Sequence, residues 1–196
     1  VDLTQSDKMG MFAKTPIDFY SQLPSEMWAL LDNKPIITTY SKEQTSNYSQ
    51  EAFNLLRKNF QYHFGGLDPH INIHGDWINP IEGGTLDPKK FEGVYVYTGG
   101  YSVPEKFGNN YVVGTGFDER KIPGRDLQRF RDHNNGETFK TDLDTFLEMV
   151  ANKPGVLWVD WNEMHEGDVV AESKEFGRIM INHLKAAKDK WTKKRD

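Results

Sequence analysis

Val156-Leu157-Trp158-Val159-Asp160-Trp161-Asn162-Glu163-Met164-His165-Glu166-Gly167 reads as a buried strand that runs directly into a cluster of acids. Apolar and aromatic residues crowd its first half, as in strands covered on both faces by helices. Asn162 and Glu163 then arrive where the strand ends, and Gly167 permits a sharp exit. Two carboxylates three residues apart face one pocket if the chain coils as it leaves the strand.

Working outward, the same grammar recurs. Ser173 to Trp191 follows as a helix, with Ile179, Ile181, Leu184 and Ala187 on its apolar side. Before the opening stretch, Thr141 to Ala151 places Leu143, Phe146, Leu147 and Val150 at helical spacing. Earlier still, Tyr111 to Thr115, Gly93 to Tyr97, His70 to His74 and Ile36 to Tyr40 are compact runs suited to strands. Asn47 to Phe64 has Phe53, Leu56, Phe60 and Phe64 on one helical face, and Gly65-Gly66 stops it. Asp32 to Pro35 is a turn, and a short helix begins near Leu23 with Ser25 as its cap. Val1 to Asp18, polar and containing Gly10, reads as a loop.

Strands alternating with helices predict an α/β protein with parallel pairing. About five parallel strands are expected, whereas a complete (β/α)8 TIM-type barrel takes about 250 residues. The expectation is therefore the C-terminal part of such a barrel. Residues 1–196 would form a single partial domain, with the N-terminal strands missing or on another chain. A five-stranded doubly wound sheet is the alternative, but no glycine-rich phosphate loop opens a helix here.

Composition narrows the function classes. The 196 residues are 37% hydrophobic and 13% aromatic, with a net charge of -5. That balance offers no general attraction to nucleic acid or to an anionic membrane surface. The basic end, Lys185 to Arg195, suits the last turns of a helix. No cysteine is present, so disulfides and thiolate metal sites are excluded. No apolar run reaches the 18 residues of a membrane-spanning helix.

In parallel α/β folds, functional residues gather at the carboxyl ends of the strands. This rule selects Tyr40, Asp76 with Trp77, Tyr97, Asp118, and the Asn162-to-Glu166 segment. Aromatic faces stack on sugar rings and carboxylates bind hydroxyls, so the set leans toward carbohydrate. Glycoside hydrolysis needs one protonated and one ionised carboxyl, and close carboxylates raise one another's pKa. Glu163 and Glu166 are the candidate catalytic pair, with Asn162 and His165 placed to orient them. Tyr40, Asp76, Trp77, Tyr97 and Asp118 are candidate substrate contacts. His70, His74 and Asp76 lie on one side of a strand, yet structural histidines are commoner than ligands, and neither metal nor cofactor is expected. Arg125-Asp126 and Arg131-Asp132 read as ion pairs holding a long loop.

The Trp161-to-Gly167 block, WNEMHEG, resembles the WNEWHEG-type signature of the glycoside hydrolase family 99-like superfamily, which includes endo-α-mannosidases and WbsX-like proteins. Weaker likeness to bacterial barrel proteins of unassigned function runs through Phe19-Tyr20, Pro24, Trp28-Ala29, Gly114 to Asp118, Arg131-Asp132, Asn135-Gly136 and Glu175 to Gly177. The resemblance implies that Glu166 is the general acid/base and that Glu163 assists attack by the substrate's own 2-hydroxyl. Retention of configuration through an anhydro-sugar would follow. Met164 stands where those enzymes carry an aromatic residue, which puts mannose specificity in doubt.

The leading expectation is thus a glycoside hydrolase-like protein cleaving an internal linkage of a polysaccharide or glycan. A non-catalytic carbohydrate-binding or structural barrel protein, part of an assembly, is the alternative. Expected partners are a carbohydrate substrate and a complementary chain or N-terminal half, because an open sheet edge is a liability in water. The expected compartment is extracellular, cell-surface or periplasmic, although a chain without cysteine also suits the cytosol.

Overall fold

The computed structural model describes residues 6–39, 49–75, 86–95, 101, 103–120, 122–151 and 153–193. The chain is α/β and divides into two compact units, Val1–Val96 and Tyr97–Asp196.

The first unit opens with a helix, α1 (Ser6–Ser21), where the sequence reading expected a loop. Met9, Phe12, Ala13, Ile17 and Tyr20 recur at helical spacing and pack into the unit's apolar core. Pro16 lies within this helix and cannot donate the usual backbone hydrogen bond. Burial outweighs that loss: Ala13 is fully enclosed, and the Phe12 ring meets Phe53 edge-on at 5.1 Å. Ser25 does not cap a helix. Ser25–Met27 is a single 3-10 turn with no side-chain cap bond.

β1 (Leu30–Leu31) and β2 (Lys34–Thr38) form an antiparallel hairpin. Asp32 and Asn33 both take positive φ, 51° and 61°, the conformation a tight two-residue hairpin demands. α2 (Gln50–His63) follows; the Ser49 side chain accepts from the Glu51 N–H at its start. At its end Gly65 and Gly66 adopt φ of 64° and 91°, as the sequence implied. β3 (His70–His74) then pairs parallel with β2, Ile37 opposite Ile71. β4 (Gly93–Tyr95) pairs parallel with β3, Ile73 opposite Val94. α1, α2 and the inward faces of β2 and β3 share one core, in which Phe53, Leu56, Phe60, Ile71 and Ile73 are wholly buried.

The second unit carries β5 (Glu105–Phe107) and β6 (Asn110–Val112), an antiparallel hairpin turning at Gly108. β9 (Val156–Trp158) pairs parallel with β6, Tyr111 opposite Leu157. Between them lie the short antiparallel pair β7 (Phe117–Asp118) and β8 (Phe130–Arg131), and α3 (Glu137–Val150). α4 (Ile179–Lys193) closes the unit. It starts six residues later than Ser173, because Ser173 to Gly177 closes on itself as a turn, with Gly177 at φ 54°. Tyr111, Phe139, Leu143, Phe146 and Met180 form the heart of this core.

Parallel pairing is therefore correct for β2–β3, β3–β4 and β6–β9. The described strands are nonetheless mixed, since β1–β2, β5–β6 and β7–β8 are antiparallel. β1, β5, β7 and β8, two or three residues each, show too little alternation to be read as strands from sequence.

Candidate active site

The acidic segment leaves the carboxyl end of β9 and doubles back as a narrow turn. Its two legs are stitched by main-chain bonds: Val170 N–H to Asp160 O at 3.1 Å and Ala171 N–H to Trp161 O at 2.9 Å. Glu163 and Asp168 bridge across the neck. At the tip, Met164 N–H donates to Asn162 O at 2.8 Å and Glu166 N–H to Glu163 O at 3.2 Å. Gly167 turns the chain at φ 73°, which an L side chain rarely adopts.

Two further segments brace this turn. Asp118 N–H donates to Glu166 O at 2.7 Å. His133 Nε2 lies 2.6 Å from Gly167 O, and because a carbonyl can only accept, Nε2 carries the proton. Gly116 makes that approach possible. Its φ is 147°, and a Cβ there would stand 2.6 Å from His133 Cδ2.

Side chains at the tip face outward. Asn162, Glu163, Met164 and His165 are all exposed. Glu166 is largely covered, and its Oε1 accepts from Arg125 Nη2 at 2.7 Å. Arg125 also reaches Glu119 Oε2 at 3.5 Å. Glu119 is fully buried and held by a bidentate fork from Arg129, both bonds at 2.8 Å. Those Arg129 bonds, against the opposing effect of burial, bring its pKa down to about 2. The Arg129 guanidinium also lies over the rings of Tyr101 and Phe117.

Beneath the turn sits a second pair of acids. Asp168 Oδ1 accepts from Thr115 N–H at 2.8 Å and Thr115 Oγ1 at 2.9 Å. Asp160 meets Asp168 on the facing leg; burial, and then the Asp168 charge, push its carboxyl up to about 8. Glu163 and Glu166 press in the same direction. Four carboxyl groups thus surround one turn, and burial with the neighbouring charges favours the protonated form of Asp160. Such a site can both give and accept a proton.

Of the residues singled out in the sequence, Glu163, Glu166, Asn162 and His165 share this turn, and Asp118 adjoins it through its backbone. The Asp118 carboxylate itself is forked by Arg120, both bonds at 2.8 Å. Tyr40, Asp76, Trp77 and Tyr97 lie outside the described residues. The expected neighbour ion pairs are corrected. Arg125 joins Glu166 and Glu119 rather than Asp126, and Arg131 joins Asp142 rather than Asp132. Adjacent residues in extended chain point to opposite sides, so each arginine finds a carboxylate elsewhere. Sequence reasoning gave no role to Asp160, Asp168, Thr115 or His133. An acid embedded among apolar residues, as in Val159-Asp160-Trp161 and Asp168-Val169-Val170, was the available signal. Among the described residues, no three His, Asp or Glu side chains are grouped to hold a metal, and no helix is long and apolar enough to cross a membrane.

Comparison with solved structures shows a glycoside hydrolase family 99-like fold. The family 99 endo-α-mannosidase of Bacteroides thetaiotaomicron matches over 94% of this chain and 61% of its own, at 16% identity and a TM-score of 0.57. Its complex with bis-tris-propane matches over 96% and 67%, at 15% identity and 0.60. A glycoside hydrolase-like protein matches over 94% and 61%, at 15% identity and 0.61. The chain thus spans about three fifths of the length of the first and last of these. No curated protein matches it by sequence. The model of a domain of unknown function, DUF5010, matches residues 10–194, and the chain belongs to that family.

Proposed function

We propose that this protein is a glycoside hydrolase that cleaves an internal linkage of a polysaccharide or glycan, with Glu163 and Glu166 as its paired carboxylates. The observation that carries the reading is their position on one braced turn at the carboxyl end of the parallel pair β6–β9. The likeness in fold to an endo-α-mannosidase supports it and makes α-linked mannans the first substrates to try. In this reading Glu166 is the general acid/base. Glu163, open to solvent, polarises the substrate's 2-hydroxyl, and the product retains its configuration. Asn162, His165 and Asp118 border the substrate.

The architecture that goes with this activity is the C-terminal part of a (β/α)8 barrel, completed by further strands or a complementary chain. A light-scattering mass near 22.6 kDa for a stable, folded sample would count against that completion.

A second reading has one observation in its favour. Arg125 holds the Glu166 carboxylate, and an acid/base must leave such a partner to protonate a leaving oxygen. A carbohydrate-binding protein without turnover needs no such release.

Reducing-sugar release from α-mannans and a panel of other polysaccharides separates the two, with calorimetric binding measured alongside. Glu166→Gln should abolish hydrolysis while leaving binding intact. Undiminished hydrolysis in that variant defeats the assignment, and binding without turnover in the unaltered protein favours the second reading.

A further inference from the structure

We propose that Asp160 and Asp168 share a single proton and that this shared proton is the clasp that positions the Glu163–Gly167 turn. The inference concerns the same turn as the proposed catalytic pair, but it does not require that pair to hydrolyse anything.

The argument begins with what each carboxyl receives. Asp168 is 1% exposed, and its Oδ1 takes two hydrogen bonds from Thr115. The direction of the hydroxyl bond follows from its surroundings: Thr115 Oγ1 accepts from Val169 N–H at 2.9 Å, leaving its own proton for Asp168. Two donors on one oxygen favour the ionised carboxylate. Asp160 has the opposite situation. Its Oδ2 is enclosed, and no donor among the described residues reaches it. Burying an anion in such surroundings is costly, and two carboxyls in contact resist double ionisation. The proton therefore resides on Asp160 and is donated to Asp168.

Charges facing the pair come from three directions. Glu163 and Glu166, on the turn itself, oppose ionisation of Asp160. His133, from the segment before α3, acts on Asp168 and favours its charge. Arg125, from the β7–β8 excursion, is engaged with Glu166 and Glu119. Thr115 brings donors without charge. Among the described residues, no cation is thus committed to Asp160.

Asp160 and Asp168 stand on opposite legs of the turn. The bond between them closes the neck from the side-chain face, as the Glu163–Asp168 bridge closes it from the backbone. Removing the proton replaces an attraction across the neck by a repulsion. The clasp then opens, and Glu163 and Glu166 lose their fixed relation to β9. Asp160 and Asp168 are positioning residues here, with no contact to substrate required.

The test uses the full chain with 13C-labelled aspartate. Carboxyl resonances are followed from pH 5 to pH 10, together with fluorescence of the tryptophans, two of which, Trp158 and Trp161, flank Asp160. A carboxyl titration near 8, with a coincident fluorescence change, is expected in the unaltered protein. Asp160→Asn keeps a donor toward Asp168 and should abolish both. Absence of any carboxyl titrating between about 7 and 9 overturns the proposal, as does an unchanged transition in Asp160→Asn. Should that variant fail to fold, Asp168→Asn serves instead: it relieves the charge on Asp160, so the high transition should move down by at least one pH unit, and its persistence near 8 refutes the clasp. Glu166→Gln removes one of the charges that oppose ionisation of Asp160, so the high transition should persist at a somewhat lower pH whether or not hydrolysis is lost, and the two ideas fail separately.

Discussion

The Arg131–Asp142 pair should be among the most costly contacts in the second unit to break from one side. Asp142, on α3, is 1% exposed, and its oxygens take Arg131 Nη2 at 2.5 Å and Nη1 at 2.8 Å. A third bond comes from Gly114 N–H at 3.3 Å. Asp142→Leu would remove all three and deprive a largely covered guanidinium of this carboxylate. Breaking a buried pair from one side costs about 3–5 kcal/mol. Total stabilities run from roughly 5 to 15 kcal/mol, so about a fifth or more would be lost. Arg131→Met should cost ~3 kcal/mol for the mirror reason. The double variant is the informative one, because a well-packed apolar pair avoids the desolvation that both charges suffer. We expect it to lie within ~2 kcal/mol of the unaltered protein, a coupling of at least ~3 kcal/mol in the cycle. Urea unfolding followed by tryptophan fluorescence reads all four proteins, and a shift in midpoint at constant slope isolates stability. Single variants costing less than ~1 kcal/mol, or a double that equals their sum, would show that the pair is not the buried, coupled unit described.

Two further outcomes are expected. Glu119, whose folded pKa of about 2 lies below its ordinary 4.5, contributes stability that is complete above the ordinary value and lost as pH falls toward 2; urea midpoints across that window should decline in the unaltered protein and decline less in Glu119→Gln. Gly116→Ala should cost ~2–3 kcal/mol and displace the His133 imidazole, seen as a shift of its NMR resonances, because strain and overlap combine there; Gly108→Ala, at φ 60° with nothing within 4 Å, should cost only ~1 kcal/mol, and equal losses at the two sites would refute the packing argument.

How far the sequence could be read depended on how long each signal ran. α2 was plain because Phe53, Leu56 and Phe60 repeat over several turns between a serine cap and two glycines. β9 was plain because its apolar residues are continuous, and β3 because Ile71 and Ile73 alternate with polar residues. α1 was hidden by Gly10 and Pro16, whose local preferences oppose a helix that burial against α2 sustains. The β7–β8 pair is two residues long on each side, and no periodicity exists at that length. After β9, the exit of the chain into a turn carrying Glu163 and Glu166 was legible from Gly167 and from the end of the apolar run. The partners of Glu166 were not, since Arg125 reaches it from 41 positions away. Asp160 and Asp168 were opaque for a different reason: which of two acids keeps a proton depends on donors supplied by Thr115, and that arrangement exists only once the chain has folded.

Beside the Asp160–Asp168 contact, the turn after β9 is held by its own carbonyls and amides. Glu163 is linked to Asp168, Glu166 O to Asp118 and Gly167 O to His133, all through main-chain atoms on the turn's side. Side chains at Asn162, Met164 and His165 can therefore be exchanged without disturbing the scaffold that presents them. Natural variants and engineered libraries could change these three side chains while the main-chain bonds beneath are inherited unchanged.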